Sequence, residues 1–133
     1  MRDELKILLY MNSHDRMLNN TLTGIIKSSA PGEAIALALR FSQLKKHVCQ
    51  LPREIDLAVL LAKDKQQLNE LLSLKSFLDG TPLILILPDL DKESVSEATR
   101  LYPQFITSID SDFYPMREIL GRMVQLKKTR CLQ

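Results

Sequence analysis

Short apolar runs alternate with helix-period segments along the whole chain, five times over. Leu5–Tyr10 is short, apolar and bounded by polar residues, the pattern of a buried strand. Asn12-Ser13-His14-Asp15 then supplies a turn and an N-cap. Met17, Leu18, Leu22, Ile25 and Ile26 follow at helical spacing, and Pro31-Gly32 ends that helix. Over Ala34–Leu39, Ile35, Leu37 and Leu39 alternate with alanines, which predicts a strand at the sheet edge. The same stretch also suits the start of a long helix, since Ala and Leu are good helix formers. The strand is preferred because Leu44, Val48 and Leu51 make a self-sufficient helix behind a Ser42 cap, closed by Pro52.

Asp56–Ala62 is apolar on both faces, as central parallel strands are. Lys63-Asp64-Lys65 turns the chain, and Leu68, Leu71, Leu72 and Leu78 predict a helix ending at Asp79-Gly80. Pro82 opens the run Leu83–Leu87, which Pro88 stops. Val95, Ala98 and Leu101 predict a shorter helix over Asp91–Tyr102, ended by Pro103. Phe105–Ile109 reads as a fifth strand and Asp110-Ser111-Asp112 as a polar turn. Met116, Ile119, Leu120, Met123 and Val124 complete a final amphipathic helix. Five strand–helix units in succession predict an α/β domain, a mostly parallel sheet with helices on both faces.

Composition narrows the picture only slightly. The 133 residues are one domain's worth, read as residues 1–126 with a basic tail at 127–133. No apolar run approaches the roughly 20 residues that span a bilayer. The charged start Met1-Arg2-Asp3-Glu4 is no signal peptide, so no membrane contact and a cytoplasmic location are expected. Net charge is +2, with Lys127, Lys128 and Arg130 gathered where they suit the negative end of a helix dipole. Nothing resembles a basic face with interleaved aromatics, which argues against nucleic acid. Cys49 and Cys131 are too far apart for a zinc, redox or disulfide motif, and His14 and His47 have no partner at a recognisable spacing. Asn20-Thr21-Leu22-Thr23-Gly24 faintly resembles a flavodoxin phosphate loop, but it falls inside a helix pattern. No dinucleotide fingerprint or P-loop occurs, and no cofactor is expected.

The order, lengths and pattern of Lys6-Ile7-Leu8-Leu9, Asp56-Leu57-Ala58-Val59-Leu60-Leu61 and Thr81-Pro82-Leu83-Ile84 resemble the first, third and fourth strands of response-regulator receiver domains. These are the phospho-accepting modules of bacterial two-component signalling. The resemblance covers residues 5 to about 126 and implies a (βα)5 flavodoxin-like, three-layer sandwich with parallel strand order 2-1-3-4-5. Its chemistry departs at every functional position. The family's acid pair after the first strand falls at Met11 and Asn12, and its phospho-accepting Asp at Leu61 or Ala62. Its hydroxyl residue falls at Leu87 or Pro88, and its Lys near Ser108-Ile109; Phe105 lies near the switch aromatic. Mg²⁺ wants carboxylate oxygens, and an acyl phosphate needs a carboxylate nucleophile.

The resemblance therefore implies a degenerate receiver that is no enzyme and takes no phosphate or metal. It would act through a protein partner or a homodimer on the face of the fourth helix, fifth strand and fifth helix. Tyr102, Phe105, Tyr114 and Met116, with Phe113 nearby, are the candidate contacts. The alternative is a cation- or small-molecule-binding domain using displaced aspartates, chiefly Asp15, Asp64 and Asp110, with Ser13. Asp89, Asp91 and Asp112 also lie in strand-end loops, where turns and N-caps favour Asp in any case.

Overall fold

Successive side chains of a strand point to opposite faces, so a strand apolar throughout needs cover on both. In the computed structural model, which describes residues 4–50 and 54–131, β3 (Leu57–Leu61) and β4 (Leu83–Leu87) are buried at every position. With β1 (Lys6–Tyr10), β2 (Ala34–Ala38) and β5 (Phe105–Ser108) they form one parallel sheet in the order β2-β1-β3-β4-β5. The register sets Leu8 between Ala36 and Ala58, and Val59 beside Ile84.

Helices α1 (Arg16–Ser29) and α6 (Tyr114–Cys131) cover Ile7, Leu9, Val59, Leu61, Ile84 and Ile86. The opposite face, with Leu8, Tyr10, Leu60, Leu85 and Leu87, lies under α2 (Phe41–Gln50), α3 (Lys65–Leu72), α4 (Lys75–Leu78) and α5 (Lys92–Ala98). Each fully buried Leu or Ile contributes about 2 kcal/mol. The result is the expected α/β three-layer sandwich. No described helix is long and apolar enough to cross a membrane.

Several local expectations change. Ala34–Ala38 is a strand at the sheet edge, as its alternation predicts. Ser42, expected as a cap, lies inside α2; the Gln43 side chain accepts from Leu39 N and Arg40 N at 2.7 and 3.2 Å instead. Pro52 falls outside the described residues. The predicted helix to Leu78 is broken after Leu72, where the Ser73 hydroxyl donates to the Glu70 carbonyl and competes with helical pairing. Gly80, at φ 85°, then turns the chain back toward β4. The predicted helix to Tyr102 ends as α5 at Ala98 and one 3₁₀ turn, Thr99–Leu101. Tyr102 follows at φ 52°, ψ 51° and is the one non-glycine with positive φ among the described residues. That backbone costs a bulky residue roughly 1–2 kcal/mol.

The basic segment from residue 127 continues α6 through Cys131. Lys128 Nζ lies 2.5 Å from Glu33 Oε2, and the Glu33 side chain is only 1% exposed. Its other oxygen accepts from Leu5 N at 2.7 Å. One carboxylate thus ties the end of α6 to the starts of β1 and β2. Lys128→Met removes the cation and leaves that carboxylate uncompensated. Its expected cost is about 1–2 kcal/mol, between the values for exposed and buried pairs. Urea unfolding measures it, and an unchanged midpoint would show that the pair contributes nothing.

Candidate functional site

The carboxyl ends of parallel strands are where an open α/β sheet places its ligand crevice. Here the ends of β3 and β4, and Met11 after β1, are apolar and buried. Met11 is 2% exposed and its N–H donates to the Ala38 carbonyl at 3.0 Å. Leu61, Ala62 and Leu87 are fully buried, and Ala62 N donates to the Ile86 carbonyl at 2.8 Å. Asn12 and Pro88 are half-buried.

Across this end runs Gln67, a buried residue of α3 that no hydrophobic pattern in the sequence marks out. Its Nε2 donates to the Asn12 carbonyl at 2.9 Å, and its Oε1 accepts from Lys63 N at 2.9 Å. Its own N–H donates to Asp64 Oδ1 at 2.8 Å. One neutral amide therefore joins the loop after β1 to the loop after β3. The spacing Asp64-Lys65-Gln66-Gln67 carried a cue, since an N-cap followed three residues later by Gln is a capping-box pattern. At the end of β5, Thr107 and Ser111 share a hydroxyl contact of 2.6 Å, and Ser111 donates to the Ser108 carbonyl at 2.7 Å. These hydroxyls are spent on their own turn. Burial pushes the Tyr10 phenol pKa up; the Asn12 side chain pulls it down, and the charges of Glu70 and Asp64 add to the rise. Its proton stays in place at neutral pH.

The displaced aspartates do not converge. Asp15 caps α1 through Leu18 N at 3.1 Å, Asp64 caps α3, and Asp91 caps α5 through Ser94 N at 3.2 Å. Hydrogen bonding from Ser94 holds the Asp91 carboxyl below its usual range. Asp89 accepts from Asp91 N and Asp112 from Tyr114 N, while Asp110 is exposed. Ser13 accepts from Asp15 N within the same turn. Among the described residues, no three His, Cys, Asp or Glu side chains are placed to hold a metal ion. His14 is exposed, and His47, half-buried on α2, has its pKa lowered by burial and by Lys6 and Lys46. Cys49 is a free, partly buried thiol packed against the α2–α5 core.

The candidate contact residues separate. Tyr102 and Tyr114 are 76% and 60% exposed, at the two ends of edge strand β5. Hydrogen bonding to Glu118 raises the Tyr114 pKa. Phe105 and Phe113 are half-buried and pack on the α1–α6 core. Met116 is fully buried there, because it lies on the apolar stripe of α6 with Leu120 and Met123, and it presents nothing to a partner. Four of the surface clefts among the described residues are lined by none of Met11, Asn12, Leu61, Ala62 and Leu87.

No family model matches the chain, and no curated protein matches it. Solved structures do match. The signal receiver domain of an HD domain-containing protein from Pseudomonas fluorescens superposes with a TM-score of 0.75, covering 100% of this chain and 96% of that one at 18% identity. A CheY-like response regulator receiver domain protein from Methanospirillum hungatei gives 0.72, covering 96% and 99% at 12% identity. A pilus assembly-related protein from Burkholderia pseudomallei gives 0.69, covering 94% and 92% at 15% identity. Sequences this distant share the fold, and the fold is that of the receiver domains.

Proposed function

We propose that the chain is a degenerate receiver-like signalling module that takes no phosphate and acts by protein contact. It would serve a two-component-type pathway in the bacterial cytoplasm, without enzymatic activity. The closed strand-end crevice carries this reading. A phospho-accepting site needs a carboxylate at the end of the third strand and acids that hold Mg²⁺ beside it. On this reading those places fall at Leu61, Ala62 and Met11, which are buried, and the Asn12 carbonyl is engaged by Gln67. The Gln67 amide links two loops that a bound ion would otherwise draw together. The receiver-domain likeness supports a signalling role, and the exposed tyrosines flanking β5 support a partner surface on α5, β5 and α6.

Incubation with acetyl phosphate and Mg²⁺ is expected to leave the intact mass unchanged; a phosphoprotein would overturn the reading. Gln67→Leu strips the Asn12 carbonyl and Lys63 N–H of their partner, with an expected cost of about 1–3 kcal/mol in urea unfolding. Gln67→Glu adds a pH signature. Its carboxyl, buried against a carbonyl, is held above the ordinary value of roughly 4.3. The unfolded chain then releases the proton first, so stability relative to wild type falls as pH rises through the unfolded value and flattens above the folded one. A variant whose deficit is the same at acid and neutral pH would remove the brace from the argument. Light scattering of Tyr114→Glu tests the surface: a homodimer formed there dissociates, and one that persists places the contact elsewhere.

A further inference from the structure

At the opposite end of the sheet, the break between α3 and α4 leaves a cleft of about 720 Å³ beside the start of β4. Ligand sites span roughly 300–1,000 Å³ and are mostly apolar, whereas this cleft is the more polar kind. Leu72, Leu78, Pro82 and Leu101 supply apolar lining, and Ser73, Ser76, Thr81 and Gln104 supply polar groups. Lys75 and Asp79 add one charge of each sign.

Tyr102 makes this cleft unusual. It stands on the rim with its ring in water, yet its backbone is in the left-handed region that a glycine occupies without strain. It also precedes Pro103, whose ring disfavours helical backbone on the preceding residue. Strain at so exposed an aromatic residue is offset by little packing inside the protein, and such outliers gather at ligand clamps. The Lys75 ammonium lies 5.4 Å from the centre of the Tyr102 ring, so a cation and a flat π-face are presented together.

We propose that this cleft binds a small ligand that joins a flat heteroaromatic ring to an anionic group, of the nucleoside monophosphate kind. The ligand ring stacks on Tyr102, the Lys75 ammonium moves from the tyrosine face to the phosphate, and the Ser76 and Thr81 hydroxyls meet sugar or phosphate oxygens. The inference stands whether or not a partner docks on β5, because binding is read on the isolated chain.

The test titrates ¹⁵N-labelled chain with AMP, adenosine and inorganic phosphate separately. AMP is expected to shift the amides of Ser73, Lys75, Thr81, Tyr102 and Gln104 saturably, and each fragment to bind several-fold more weakly. Lys75→Met is expected to reduce AMP to the affinity of adenosine. Tyr102→Gly is expected to weaken AMP several-fold while raising the melting temperature, since it releases the backbone strain; both variants are exposed substitutions whose spectra report folding directly. The proposal is overturned if AMP gives no saturable shifts at the cleft, if AMP binds no better than adenosine or phosphate, or if Tyr102→Gly binds AMP as well as wild type.

Discussion

Burial of β3 and β4 on both faces is the constraint from which the rest of the molecule follows. A strand with no wet face must satisfy its backbone through its neighbours and fill both sides with hydrocarbon. That demand brings helices to each face and sets the parallel order, since every crossover must return over the sheet. It also governs the tips. Where Leu61, Ala62 and Leu87 run to the strand ends, β3 and β4 contribute no polar side chain to the crevice.

Those loops have settled on a neutral solution. Converging carboxylates at the strand ends would repel one another without a cation between them. The Gln67 amide is both donor and acceptor, so it joins two main-chain groups without needing a counter-ion. The nearby acids face outward to cap their own helices, where backbone N–H groups stabilise them.

Much of this was legible in the sequence, for identifiable reasons. Leu83–Leu87 and Asp56–Ala62 are continuous apolar runs too short for helices, and Asp15, Asp64 and Asp91 stand one residue before helical periodicity begins. The apolar ends of β1 and β3 were equally readable, because Met11 and Leu61 extend the apolar runs that precede them. What escaped depends on distant partners. Gln67 sits beside Gln66 in a polar stretch, and only the placement of the β1 loop next to α3 gives it the Asn12 carbonyl. Gln43 displaced the expected Ser42 cap for a similar reason: the strand ends early enough for a longer side chain to reach back to Leu39 and Arg40. Met116 shows two cues in conflict, its affinity for interfaces and its place on an apolar helical stripe; the stripe won.

The ion pair between Lys128 and Glu33 gives α6 a mechanical character. The helix begins just after β5, at one margin of the sheet, and its far end is pinned where β2, the other margin, begins. It therefore acts as a crossbar. The same carboxylate accepts from the Leu5 N–H, so the base of β1 is tied to that helix end as well. Margins that never pair within the sheet are thereby joined through one helix and one carboxylate.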